Sequence, residues 1–329
     1  MRASLWGILG ITLVAPAPAP VLAALPAAPH RVELFPRLIP GQILTYRISY
    51  RTDKKAKTQS AFITAEPAVN PNVDLRALLR LEVLGVEPQG VRSVLHFRAT
   101  YQPIDPGNES GSPRPGSSAP GAPRPGSQAV PIEFTILADG RVSNVKNLDA
   151  LLPEQQEAWK EWAARFAAPA TFPGKGIALA QKWKSEEPEK TAAPIAGLSW
   201  LRESFYLRDE PCRTMNLTQQ GEVLSSGGAA EMCAVIFTGA TLKQKSDPQN
   251  TTPEDFKLHD LHTSGTATGN NKTTLYISRS TGLLVRSSDD ADQTMNVTIA
   301  KPDETNHVHY AIHAQSHTEI LRVTSAPPT

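Results

Sequence analysis

The residues best suited to chemistry lie near the C-terminus. His307, His309, His313 and His317 all carry odd numbers, with Ala311 and Gln315 between them. Successive side chains of a strand point to opposite faces, so the four imidazoles share one face while Val308, Tyr310 and Ile312 take the other. His307 and His309 would lie about 7 Å apart along the strand, within reach of one metal ion through both rings. His309 and His313 would be about 13 Å apart, too far to share that ion. A metal-binding protein built on His307 and His309 therefore needs a third ligand from an adjacent strand. The plainer reading is a solvated polar face over an apolar one, the usual pattern of a half-buried strand.

Other candidates resolve into structure rather than chemistry. Cys212 and Cys233 are the two cysteines of the chain and lack the close C-x-x-C spacing of redox and metal pairs. In an oxidising compartment they should bond to each other, and closing a loop of about 20 residues contributes roughly 3 kcal/mol. Their flanks read as strands, so the bridge should tie neighbours in one sheet. Asp289, Asp290 and Asp292 could offer oxygen atoms to a hard cation, but the remaining spacing of a calcium loop is missing, and they read as an exposed acidic turn. The stretch GTATGNNKTT (Gly265–Thr274) lacks the spacing of a phosphate loop and reads as a hairpin turn, with Asn270 and Asn271 at positive φ. No G-x-S-x-G, H-E-x-x-H or dinucleotide glycine motif occurs. No catalytic residue and no cofactor is assigned, and the chain reads as non-catalytic. The Asn-x-Ser/Thr triplets at Asn108, Asn216, Asn250, Asn271 and Asn296 are what an Asn- and Thr-rich chain produces by chance.

One helix stands out against this background. Pro153 suits a first helical turn, Asp149 could cap it, and PEQQEAWKEWAARFA follows. Trp159, Trp162 and Phe166 fall at i, i+3 and i+7, one stripe. The stripe reads as the helix's core face against a sheet, with a ligand wall as the alternative.

The elements that must position these residues are mostly strands. Ile43–Tyr50, Leu79–Val86, Val91–Tyr101 and Ile132–Leu137 mix β-branched and aromatic residues with a period near two. The second half repeats the style in Leu201–Leu207, Ala234–Leu242, Leu258–Thr268, Thr273–Ser278, Gly282–Arg286, Met295–Ile299 and Val308–Val323. Turn chemistry sits at Glu87–Gly90 and at Thr281-Gly282. The fold class is therefore mainly antiparallel β, a curved unclosed barrel or sandwich-like sheets, with one prominent amphipathic helix. Residues 103–130, which contain PRPGS twice, bury too little to offset chain entropy and read as a disordered loop within a sheet. A weak echo between Gly41–Tyr46 and Gly176–Trp183 raises a pseudo-duplication of 41–167 and 176–323.

Composition narrows the function. There are 33 Lys and Arg residues against 32 Asp and Glu, and Arg2 is the one charge in the first 23 residues. No basic excess or stripe points to nucleic acid or a polybasic membrane contact. Leu5–Val14 is an apolar run too short to span a bilayer, followed by APAPAP and then Val21, Leu22 and Ala23. Residues 1–23 read as a secretory signal, leaving 24–329 as one exported β-rich region without a transmembrane segment.

The entry strand GQILTYRISY, the single helix, the Phe172-Pro173-Gly174 turn towards Trp183 and the late hairpin TLYISRSTGLLVRS resemble those of exported bacterial β proteins. The Thr281-Gly282 turn also resembles the periplasmic lipoprotein-localisation-factor (LolA-like) group. That resemblance spans Leu38–Val323 and implies a curved, unclosed antiparallel barrel that holds acyl chains, although this chain has one clear helix where the group has several. The expected function is a non-catalytic protein of the periplasm or cell exterior that binds a lipid moiety or other apolar ligand in a curved sheet. The alternative is a structural or interaction protein without a cavity, followed by a metal binder using the histidine strand.

Overall fold

Long alternating segments give long strands. The computed structural model describes residues 31–60, 72–90, 92–104, 130–189, 194–218, 221–226, 231–301 and 307–325. The expected signal at 1–23 and nearly all of the expected loop at 103–130 lie outside these residues. The strands are β1 (Arg31–Val32), β2 (Ile43–Ser60), β3 (Val73–Gln89), β4 (Arg92–Pro103), β5 (Ile132–Ile136), β6 (Val142–Lys146), β7 (Ile177–Ala178) and β8 (Lys182–Pro188). They continue as β9 (Leu198–Pro211), β10 (Arg213–Thr218), β11 (Gly221–Ser226), β12 (Met232–Gln244), β13 (His262–Ser278), β14 (Leu284–Ala300) and β15 (His307–Ser325). The main helix is α1 (Pro153–Ala167), which tightens into a 3-10 turn at Ala168–Thr171, and α2 (Glu254–Lys257) is a single turn.

One large sheet runs in the order β6-β5-β4-β3-β2-β15-β14-β13-β12-β9-β8, and every pairing along it is antiparallel. The β10–β11 hairpin branches from the end of β15, where Met215 pairs in parallel with Val323. β1 and β7 form a separate short ladder. β6 and β8 stand at opposite ends of the order, and the sheet stays unclosed.

The sheet must nevertheless curl. Arg92 of β4 donates to the carbonyls of Ala138, Ala170 and Phe172 at 2.8, 2.7 and 2.5 Å. The Phe172 ring in turn packs on Trp183 of β8 with centroids 5.6 Å apart. β4 and β8 are eight steps apart in the order, about 38 Å if the sheet were flat at roughly 4.8 Å per step. One arginine and two rings cannot bridge that distance. The sheet wraps around α1, and one core joins Leu79, Phe97 and Ile132 to Tyr206, Ile236 and Leu275 from the far strands. Leu34 and Leu38, with Ile177, fill part of the same interior. The chain there passes the β13–β14 turn, where Arg37 N donates to Thr281 O at 2.7 Å and Gly282 has φ +69°.

Two expected turns are corrected. Gly265–Thr274 is not a hairpin: β13 runs straight through it, with Asn270 opposite Asp292 and Asn271 opposite Ala291. Neither asparagine has positive φ. Asp289, Asp290 and Asp292 are likewise mid-strand in β14, not an exposed turn, and Asp289 is buried. The helix starts later than Asp149 allows. Asp149 belongs to the preceding 3-10 turn Leu148–Ala150, and Leu152 is the extended N-cap before Pro153, as the residue before a proline prefers. Gln155 Oε1 reaches back from the third helical position to accept the Leu152 N–H at 3.1 Å, and among the described residues no side chain caps the first-turn N–H groups in the role expected of Asp149. The segments of the sequence echo differ in role, since β2 is central and long while β7 and β8 are short and β8 is an edge.

Candidate functional site

The two faces of the wrapped sheet differ in chemistry. Strand parity sends Ile48, Tyr50, Leu275, Asp289 and Ile320 to the face under α1, and the histidines to the outer face.

Trp159, Trp162 and Phe166 lie in the compartment under α1. Trp159 packs edge-on against Phe134 at 5.4 Å, and Phe166 packs edge-on against Tyr46 at 4.8 Å. Trp162 is buried and donates its indole N–H to the Ser49 carbonyl at 3.3 Å. All three belong to the main core or pack against it. The stripe is filled by protein on the side where a ligand wall would have to be open.

Polar groups tie α1 down along the rest of its length. The Arg165 guanidinium is paired with the buried Asp289 and with Glu161, the latter at 3.1 Å. Asp289 also accepts from the Asn271 amide at 2.6 and 3.0 Å and from the Thr273 hydroxyl at 3.0 Å. Lys54 donates to both Glu157 oxygens at 2.7 Å. Burial, with the Arg165 guanidinium partly offsetting it, raises the Glu161 carboxyl above the ordinary carboxylate range. The Tyr50 phenol is pushed up by burial and by the neighbouring Glu157.

Beyond this polar band the inner face turns apolar again. Ile195, Leu198, Leu242, Ala267, Met295 and Val297 form a second buried cluster, and Trp200, Ile299, Tyr310 and Ile312 are only partly buried against it. Tyr310 and Ile312 are the apolar partners of the histidine alternation.

On the outer face all four histidines stand together in β15. His309 Nδ1 lies 3.3 Å from Thr298 Oγ1, His313 Nε2 lies 3.2 Å from Asp292 Oδ2, and His317 Nδ1 lies 2.8 Å from Asp290 Oδ1. Gln315 donates to Asp292 at 2.8 Å, and with His313 holds that carboxyl below its ordinary range. His307 is exposed opposite Ala300. Each of the other three is engaged by its cross-strand neighbour. Among the described residues no three His, Cys, Asp or Glu side chains are arranged to hold a metal ion.

Cys212 and Cys233 form a disulfide with Cα atoms 5.0 Å apart. Cys212 is the residue between β9 and β10, and Cys233 of β12 lies opposite Glu210 of β9, so the bridge pins the end of β9 to β12 and closes off the β10–β11 excursion. Both sulfur residues are fully buried beside Val285. No helix among the described residues is long and apolar enough to cross a membrane.

Two clefts stand out, and both are mainly polar in their residues. One of about 200 Å³ lies between Asn250, His262, Thr263 and Thr298, and a larger one of about 370 Å³ lies on the outer face between β3, β2 and β15. The Arg165–Asp289 pair and the arginines of the larger cleft escaped sequence reasoning. A signal for Asp289 was present: Met295, Val297 and Ile299 set the inward parity of their strand, and 289 shares it. No protein-family model matches the chain, and no curated protein matches it in sequence.

Proposed function

We propose that this is an exported, non-catalytic cell-envelope protein that holds an apolar ligand, such as a lipid acyl group, on the inner face of its open sheet. The observation that carries this reading is the second apolar zone, where Ile299, Tyr310, Ile312 and Trp200 remain partly exposed beyond α1. A floor of aliphatic and aromatic residues with a polar boundary suits an apolar guest. Export is supported by the buried disulfide, which persists in oxidising compartments.

Association through sheet edges has less support. The edge strand β8, KWKSEEP, carries four charged residues and ends in proline, features that blunt strand addition. The inner face is thus the better candidate surface.

The test is titration with N-phenyl-1-naphthylamine, a probe that fluoresces in apolar sites, followed by displacement with oleate. Saturable binding that Ile299→Gln/Ile312→Gln weakens is expected. Absence of saturable binding, or identical binding by that variant with unchanged thermal unfolding, overturns the reading.

A further inference from the structure

The larger outer-face cleft collects positive charge from two neighbouring strands. Arg47 and Arg51 of β2 and Arg76 of β3 line it, against the carboxylates of Asp74 and Glu319. Asp74 is shared, with Arg51 at 3.0 Å and Arg76 at 3.4 Å. Glu319 is engaged from β14 by Arg286 at 3.1 Å, which brings a fourth guanidinium to the border. His317 also lines the cleft, and its contact with Asp290 commits Nδ1 but not the second ring nitrogen.

The register makes the arginines converge. Arg76 is opposite Ser49, so it stands diagonal to both Arg47 and Arg51 on the neighbouring strand. Diagonal neighbours are about 7–8 Å apart at Cα, a separation that arginine side chains bridge readily. A guanidinium carries five N–H donors, so one carboxylate contact does not exhaust it. Its planar fork matches a carboxylate or phosphate in a way that a lysine cannot. Leu321, packed on Met215 of the β10–β11 hairpin, closes one end with an apolar wall. The volume, about 370 Å³, is that of a small-molecule site.

We propose that this cleft binds an oxyanion, a carboxylate or phosphate group of a small molecule or of an amphiphile's head group, between Arg47, Arg51 and Arg76. The site is on the opposite face from the proposed apolar zone and stands independently of it. Binding displaces or shares the Asp74 contacts, and Asp74 thereby sets how strongly charged a guest must be.

Isothermal titration at low ionic strength with inorganic phosphate and with citrate, and sedimentation with phosphatidylcholine vesicles with and without phosphatidylglycerol, test it. Saturable binding of either free anion marks a soluble guest, and binding confined to the phosphatidylglycerol vesicles marks a head group; both support the site if Arg76→Lys weakens them. The expected loss is about tenfold, because lysine keeps the charge and loses the fork. Arg51→Gln/Arg76→Gln should abolish binding, with cooperative unfolding of each variant checked by circular dichroism. No saturable binding in any arm, or equal binding by folded Arg76→Lys, overturns the proposal.

Discussion

Replacing Asp289 with alanine should destabilise the protein by about 3–5 kcal/mol, the usual cost of removing one partner from a buried ion pair. The figure follows from what the carboxylate does. Asp289 is 3% exposed, and Arg165, which faces it from α1, is 7% exposed. The alanine variant leaves that guanidinium inside the molecule with Glu161 as its remaining ion-pair partner, on a side chain that is partly open to solvent. It also orphans the Asn271 amide, costing about 1–3 kcal/mol if no other acceptor reaches it, whereas the Thr273 hydroxyl keeps Asn271 Oδ1 as an acceptor at 2.9 Å. These losses overlap, since water entering the space relieves several at once, so the total stays near the range for the pair alone. Asp289→Asn, which keeps the shape, should fall less. Arg165→Met/Asp289→Leu removes both charges and should recover most of the loss, because desolvation of the pair offsets much of its attraction. Urea unfolding at neutral pH with the disulfide intact reads this directly. With a slope of about 3 kcal/mol per molar, the alanine midpoint should drop by roughly 1–1.7 M. A loss under about 1 kcal/mol, or a double variant as unstable as the single one, would refute the reasoning.

Further outcomes can be checked with the same purified protein. Gly282→Ala places a Cβ on the Phe35 carbonyl at φ +69°, whereas Gly90→Ala at φ +63° meets open space. Thermal melts should show Gly90→Ala costing about 1–2 kcal/mol and Gly282→Ala clearly more; equal shifts would count against the close approach. Thiol titration of denatured, unreduced protein should find no reactive sulfur, and reduction should cost about 3 kcal/mol on the chain-entropy model. Two titratable thiols would contradict the bridge. Glu161 has its carboxyl raised chiefly by burial. Its contribution therefore favours folding below the ordinary carboxylate range and is lost as pH rises through the raised value. Relative to Glu161→Gln, the wild type should lose a few tenths of a kcal/mol between about pH 4 and 7, small because the side chain is partly solvated. A difference in melting temperature that grows in the opposite direction would show the Arg165 attraction dominating.

The strands were legible in the sequence because a half-buried sheet imposes a period of two on its residues. Parity placed His307, His309, His313 and His317 on one face without any knowledge of where turns fall, and the four stand there. The turns were less legible where polarity had a second cause. Asn270-Asn271 and Asp289-Asp290 look like loop chemistry, yet they sit in register within β13 and β14. Asn271 and Asp289 satisfy each other inside the protein, so their polarity reports a buried network and not contact with water. The arginine cleft had no local signal at all. Arg47, Arg51 and Arg76 are scattered along two strands, and the register between β2 and β3 brings them together.

That buried network has a physical role that an apolar core could not fill. Ser204, Thr238, Thr273, Asp289, Thr318 and Tyr50 form one continuous row across six strands, each directly opposite the next. Ser204 and Thr238 share a hydrogen bond at 2.9 Å, and Thr273 donates to Asp289. Threonine suits this row because its β-branch fits the pleat while its hydroxyl finds a neighbour. The strands here are long and alternate evenly, so a slip of two residues would keep every side chain on its proper face. Hydrophobic alternation alone does not penalise such a slip. The row does: sliding β14 by two would put Ser287 or Ala291 opposite Thr273 and leave the buried Arg165 with Glu161, on a half-open side chain, as its remaining ion-pair partner. Removing one partner of a buried ion pair costs about 3–5 kcal/mol, enough to separate the correct register from its neighbours. The single charged position on the inner face of β14 thus fixes the sheet against itself and α1 against the sheet at the same point.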